Sequence, residues 1–249
     1  MNFSSLALKA SEALKGFPFI RNFARRIYCI FRPGMRFSVE KNFRDFDQIF
    51  VLKIGANDGV ENDPIADFLL NDKRYRGVLV EPIPVFARML SANYEGTGRF
   101  KVEQAAIGAE DGACPMYYVD TNATDSKGQP LPTWLRGVAS LDRTHVEKHL
   151  LPEMFGAIVE TKVNCFSIAG LLARNSIQKV DLLQIDAEGY DYIVLKQFDF
   201  SRLRPKVVIF EKKHLSNEDA SAARAMMLQA GYEVKNLETD FLCVATNAS

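Results

Sequence analysis

Cysteine, histidine and tryptophan are scarce in this chain of 249 residues, which has four, three and one of them. The cysteines (Cys29, Cys114, Cys165 and Cys243) are widely scattered and form no Cys-x-x-Cys pair. Together with only three histidines, this excludes a Cys/His zinc module. Scattered thiols of this kind read as reduced and mostly buried, in a cytoplasmic protein. Net charge is also missing, because 31 Lys and Arg balance 31 Asp and Glu. That removes any global electrostatic case for nucleic acid as a partner. No apolar run approaches the roughly 18 residues that would span a bilayer. The N-terminus has no compact apolar core followed by a small-residue cleavage site, so no signal peptide is expected. What is present is ordinary for a globular protein, 47% hydrophobic and 25% charged residues. The length fits one large α/β domain or two small ones.

Residues 1–44 differ from the rest. They hold nine Lys and Arg against two acids, Glu12 and Glu40. Ile20, Phe23, Ile27 and Phe31 follow one another at helical steps among these charges. Such a basic amphipathic segment has two readings. It lies on an anionic membrane face as a peripheral contact, or it is a helical extension whose apolar stripe packs on the domain or on a second subunit.

From residue 45 to 249 apolar runs alternate with helical stretches, the pattern of parallel βαβ units in a single α/β domain. Strands are expected at Phe50–Gly55, Gly77–Glu81, Phe100–Ala105, Val180–Asp186 and Lys206–Glu211. Helices are expected at Pro64–Asn71, Val85–Tyr94, Ser167–Asn175, Tyr190–Gln197 and Asn217–Ala230. Met116–Val119 reads as an extra short strand, and Asp120–Val138 as a long loop of the kind that forms a lid or binding surface. Tyr232–Leu237 and Phe241–Thr246 read as a closing antiparallel hairpin. Five parallel strands, helices on both faces and a terminal hairpin make the plan of a Rossmann-like, seven-stranded class I methyltransferase sheet, an analogy of architecture that does not by itself give function.

Two stretches carry the chemistry. The first is Val51-Leu-Lys-Ile-Gly-Ala-Asn-Asp-Gly59, followed by Gly77-Val-Leu-Val-Glu-Pro82. An apolar strand ends in a glycine turn, and the next strand ends in an acid. That pairing suits a nucleotide-type cofactor lying across the carboxyl ends of adjacent parallel strands. Gly55 and Gly59 allow the tight turn, and Glu81 would accept hydrogen bonds from both hydroxyls of a ribose. Asn57 stands where a dinucleotide site needs its second glycine for close approach to a pyrophosphate. A cofactor without phosphate, S-adenosylmethionine, does not need that approach. Asn57 and Asp58 suit its amino-acid end, so the pattern favours it over a nicotinamide cofactor.

The second stretch is Leu182-Leu-Gln-Ile-Asp-Ala-Glu-Gly-Tyr-Asp191, with Val207-Val-Ile-Phe-Glu-Lys-Lys-His214 beyond it. Buried parallel strands are continuous apolar runs, so their charged residues emerge at the carboxyl ends, where ligands bind in open α/β sheets. Asp186, Glu188, Glu211 and His214 are therefore expected to converge near Gly55 and Glu81. The plainer reading makes Asp186 a helix cap and Glu211 a partner for Lys212 or Arg204. His214 is the first candidate for a general base. His145 and His149 are its rivals, though an i, i+4 pair reads more simply as a solvated helix face. Asp186, Glu188 and Glu211 could alternatively hold a magnesium ion that activates a hydroxyl.

At this point the sequence resembles the FkbM family of S-adenosylmethionine-dependent methyltransferases. The resemblance rests on Ile54-Gly-Ala-Asn-Asp-Gly59, Val80-Glu-Pro82, Ala105-Ala-Ile-Gly108 with Asp111-Gly112, Ser140-Leu141, and Leu183-Gln-Ile-Asp-Ala-Glu-Gly-Tyr-Asp191. These pieces run in the family's order from about residue 50 to 215. The resemblance implies methyl transfer, mostly to oxygen, on sugars, glycans or natural products of the polyketide type. It further implies that Gly55, Asn57 and Glu81 hold the cofactor, that Ala106 borders the adenine, and that Asp186 faces the methionine end or the acceptor. The chain departs from the family at Lys53, where an acid is usual, and at Gln184, where Lys is frequent. Lys53 keeps open a second reading, a methyltransferase fold kept as a non-catalytic interaction module. A nicotinamide-dependent oxidoreductase is a third. The acceptor is not legible, although Thr121, Asn122, Thr124, Asp125, Ser126, Gln129 and Trp134 would suit a sugar face.

Overall fold

The computed structural model describes residues 33–246, apart from residues 62, 126, 133, 134, 136 and 137. The stripe Ile20, Phe23, Ile27 and Phe31 lies outside the described residues, as do Ser126 and Trp134.

A seven-stranded sheet forms the centre, built from β1 (Ile49–Ile54), β2 (Tyr75–Val80), β3 (Phe100–Glu103), β8 (Leu182–Ile185), β9 (Val207–Glu211), β10 (Tyr232–Asn236) and β11 (Asp240–Ala245). The strand order is β10-β11-β9-β8-β1-β2-β3. The hairpin strand β11 runs antiparallel to both its neighbours, and the other pairings are parallel. The chain leaves β1 towards β2 and β3, then returns to the other side of β1 as β8. The reversal point, where ligands bind in such sheets, is therefore the β1–β8 boundary. There the amide of Gly55 donates to the Val80 carbonyl at 3.0 Å, and the amide of Asp186 donates to the Ile54 carbonyl at 2.9 Å.

Strand periodicity sends alternate residues to opposite faces. Leu52, Ile54, Leu183, Ile185, Val208 and Phe210 pack on one side, with α5 (Ile168–Arg174), α6 (Asp191–Leu195) and α7 (Asn217–Gln229). Ile49, Val51, Leu182, Val207 and Ile209 pack on the other, with α1 (Pro33–Asn42), α2 (Ala66–Asn71) and α3 (Pro84–Tyr94). Met35, Val39 and Phe43 are buried in this second core, so the chain from residue 35 onward is integral to the domain. Ser167 caps α5 by accepting from the Gly170 amide at 3.0 Å, the role its position suggests.

A second sheet, absent from the expectation, lies between β3 and β8 in sequence. Its order is β4-β7-β5-β6, from β4 (Ala106–Ile107), β5 (Gly112–Val119), β6 (Ala139–Ser140) and β7 (Ile158–Phe166). The short strand expected at Met116–Val119 is twice as long. It starts at Gly112 and pairs antiparallel with β7 along its whole length. From Glu160 to Cys165 the strand alternates exposed and more buried residues, as a sheet with one face packed should. The stretch expected as a long loop has its own packing. Leu131, Leu135 and Val138 are buried with Val119, and with Val146 and Leu150 on and after α4 (Arg143–Glu147).

Candidate active site

The turn after β1 is built by two unusual backbones. Gly55 has φ of +73° and Asn57 has φ of +50°, both in the left-handed region that side chains with a Cβ resist. Asn57 is held there because its Oδ1 accepts from the Asp58 amide at 2.7 Å, a local bond that makes Asn tolerant of this conformation. Glu81 closes the turn from β2. Its Oε2 accepts from the Asn57 amide at 2.8 Å, and its Oε1 from the Ile83 amide at 2.9 Å. Each carboxylate oxygen has a second lone-pair site, so two acceptors remain for a ligand. Burial pushes the Glu81 carboxyl up to about 7, against those two backbone bonds.

Gly55, Asn57, Glu81, Ala106, Asp186 and Glu188 line one cleft at this sheet edge. It opens to solvent at its mouth and contains about 680 Å³ of space with that open part included. Its remaining wall was not read from the sequence. Met116, Ala139 and Ser140 come from the second sheet, and Tyr190 from the turn before α6. The Ser140-Leu141 pair of the family resemblance was the available signal, as both residues line the cleft.

Asp58 and Gly59 are not among the lining residues. The Asp58 Oδ1 accepts from the Val60 and Glu61 amides at 2.8 and 2.7 Å, so its carboxylate is used to close the turn. A Cβ on Gly59 would come within 2.5 Å of the Leu90 and Tyr94 side chains. Gly59 thus lets the turn pack on α3, where the Tyr94 hydroxyl donates to the Gly59 carbonyl at 2.8 Å. Tyr94→Phe strands that buried carbonyl, and we expect a loss of about 1–2 kcal/mol in urea unfolding.

Lys53 does not reach the cleft either. It sits on the face of β1 turned towards α1, α2 and α3, buried, with its Nζ 3.1 Å from the Asp63 carboxylate. Beneath the turn its charge acts on both neighbouring acids, lowering the proton affinity of Glu81 and Asp186. Burial nonetheless holds Asp186 up, at about 6.

Beyond Glu188 the site becomes a cluster. His145 and His149, expected on a solvated face, instead turn inward and meet His214. The three ring centroids stand 5.1–5.5 Å apart. His214 Nε2 lies 3.6 Å from Glu188 Oε2 and 3.8 Å from Glu211 Oε2, and His145 Nε2 lies 4.0 Å from Glu188 Oε2. Glu188 has φ of +48°. The buried Asp191 pins its turn by accepting from the Gly189 amide at 3.2 Å and the Ala187 amide at 3.3 Å. Burial, reinforced by Asp186, pushes Glu188 up to about 8. Burial with Asp186 and Glu188 pushes Glu211 up to about 10. Burial, with Lys213 nearby, lowers His214 to about 4, which keeps the imidazole neutral at pH 7. The convergence of Glu188, Glu211 and His214 was legible as three strand-end residues. That of His145 and His149 was not, although their spacing does place both on one face of α4 and its continuation.

Residues 53–234 match the family model described as the methyltransferase FkbM domain. No curated protein matches the chain. Similar solved structures include a precorrin-6y C5,15-methyltransferase from Geobacter metallireducens GS-15, with a TM-score of 0.42 and 11% identity over 86% of this chain and 87% of that one. An O-methyltransferase from Bacillus cereus in complex with SAH has a TM-score of 0.41 and 12% identity over 97% of this chain and 90% of that one. Among the described residues, no helix is long and apolar enough to cross a membrane.

Proposed function

Because the chain belongs to the FkbM methyltransferase family, we propose that it transfers the methyl group of S-adenosylmethionine to a hydroxyl oxygen of a sugar, glycan or other natural product. The observation that carries this reading is the single cleft shared by Gly55, Glu81 and Asp186, with the Glu188–Glu211–His214 cluster at its end. In this reading Gly55 and Asn57 shape the turn that receives the cofactor. The free acceptor sites of Glu81 take the two ribose hydroxyls, Ala106 borders the adenine, and Asp186 faces the methionine end.

The acceptor hydroxyl attacks the sulfonium methyl in line. A C–O bond forms as the S–C bond breaks, and its electron pair stays on sulfur to give S-adenosylhomocysteine. The hydroxyl proton leaves to the neutral imidazole of His214, since burial keeps the carboxyls of Glu188 and Glu211 protonated at pH 7. The cofactor supplies the electrophile, and the protein supplies alignment and a proton acceptor. The burial of Lys53 against Asp63 favours this reading over a non-catalytic module, since the lysine does not obstruct the cleft.

Isothermal titration with S-adenosylhomocysteine, run beside NAD, tests the cofactor. We expect micromolar binding of the first and none of the second. Binding of NAD alone, or of neither, overturns the reading. The same titration carries a pH signature. Only ionised Glu81 can accept from both ribose hydroxyls, and its carboxyl sits at about 7. Affinity is therefore expected to fall by about tenfold for each pH unit below that value. In Glu81→Gln this slope should vanish along with most of the affinity.

A further inference from the structure

We propose that His145, His149, His214, Glu188 and Glu211 form a binding site for one divalent transition-metal ion of the zinc class, placed against the end of the cofactor cleft. The whole chain has three histidines, and all three meet here. They come from separate parts of the fold. His145 and His149 belong to α4 and its continuation, Glu188 to the turn after β8, Glu211 to the end of β9, and His214 to the loop beyond it. One ligand atom from each of His145, His149 and His214 lies within 4.8 Å of the others. The same holds for Glu188, Glu211 and His214, so His214 joins the two sets.

The spacing suits ligands around an ion and not ligands bonded to one another. The His–Glu separations of 3.6, 3.8 and 4.0 Å are too long for hydrogen bonds, which close at about 2.7–3.2 Å. They lie near the edge of a tetrahedron with metal–ligand bonds of 2.1 Å, about 3.4 Å. His145 Nε2, Glu188 Oε2 and Glu211 Oε2 are buried and have no hydrogen-bond partner among the described residues. Buried polar atoms are rarely left so, and these three are linked through short His–Glu approaches, His145 to Glu188 and His214 to both glutamates, which calls for a common partner. The backbone agrees. Glu188 is kept in a left-handed conformation that a glutamate resists, and that conformation belongs to the turn that brings its carboxylate to the histidines. Gly189 leaves room for the His145 ring, which a Cβ would meet at 3.2 Å.

The donor set chooses the ion. Magnesium, the ion suggested by the carboxylates alone, takes oxygen ligands and keeps several waters. Three imidazoles with carboxylates favour zinc, copper, iron or nickel instead. Because Glu188 also lines the cleft, an ion here would stand where an acceptor hydroxyl must lose its proton, and could lower that hydroxyl's pKa as a Lewis acid. This role rests on the methyl-transfer reading, whereas the binding of the ion does not.

The test uses the full-length chain without a histidine tag, stripped with a chelator and titrated with Co(II). We expect one equivalent to produce visible d–d absorption, to be displaced by one equivalent of Zn(II), and to persist in excess Mg(II). His149→Ala and Glu211→Gln, each checked for folding by circular dichroism, should weaken Co(II) binding by at least about tenfold, since loss of even an outer-shell partner costs that much. Absence of the absorption in the wild-type chain overturns the proposal, as does wild-type affinity in both folded variants. S-adenosylhomocysteine is titrated into the same stripped samples. Cobalt binding without it would sink the methyl-transfer reading and leave the metal site standing, and the converse result would do the reverse.

Discussion

Gly55→Ala is expected to abolish S-adenosylhomocysteine binding and to destabilise the fold by about 2–5 kcal/mol in chemical denaturation. Two costs add. Alanine resists the left-handed φ of +73°, by about 1–2 kcal/mol. Its Cβ would also lie 1.7 Å from the Asp186 carbonyl oxygen, and forcing backbone apart in a packed region costs about 1–3 kcal/mol more. The clash lies at the β1–β8 boundary, so relief must come from moving Asp186 or the turn that carries Asn57, both of which line the cleft. Gly96→Ala is the control, because a Cβ there meets nothing within 4 Å. If Gly55→Ala unfolds at the same denaturant concentration as Gly96→Ala, β1 and β8 are not packed as described.

Lys53→Ala is expected to cost about 3–5 kcal/mol, the usual penalty for leaving one member of a buried ion pair behind. Asp63 would keep its bond from the Ile65 amide at 3.0 Å but lose its counter-charge at 3.1 Å. The double variant Lys53→Met, Asp63→Asn removes both charges and keeps an acceptor for Ile65, so most of the stability should return. No recovery in the double variant would show that Lys53 stabilises through contacts other than Asp63. Lys53 also lowers the proton affinity of Glu81 and Asp186. Without it, the pH below which S-adenosylhomocysteine affinity declines should therefore move upward.

The parts of the site that were legible in the sequence depend on local pattern. A glycine turn after an apolar run, an acid at the end of the next run and Asp186 after β8 each announce a position on the sheet edge, and parallel pairing aligns them. What was not legible depends on partners distant in sequence. Nothing in Ile158–Phe166 says that it pairs with Gly112–Val119, where Gly112 meets Cys165 across an intervening stretch that holds α4. Hence the second sheet, and with it the Met116 and Ala139 wall, went unseen. The i, i+4 spacing of His145 and His149 gave the face they share but not what that face meets. Asp58 shows the opposite limit, since adjacency to Asn57 does not fix where a carboxylate points, and here it turns back to the amides of Val60 and Glu61.

The two ends of the inserted sheet leave the main one side by side. Ala106 pairs with Cys165 and Ile107 with Phe166 in parallel register. The chain between them is, in effect, a detour that departs from and rejoins the core at one doorway. Its length and content can change over generations without altering the register of β1, β2, β8 or β9, because loop length weighs only logarithmically on closure. The turn at Gly55 and the clamp at Glu81 would remain fixed while the opposite wall of the cleft is rewritten. One wall of the cleft is thus a single contiguous cassette, and the wall that faces it belongs to the seven-stranded core.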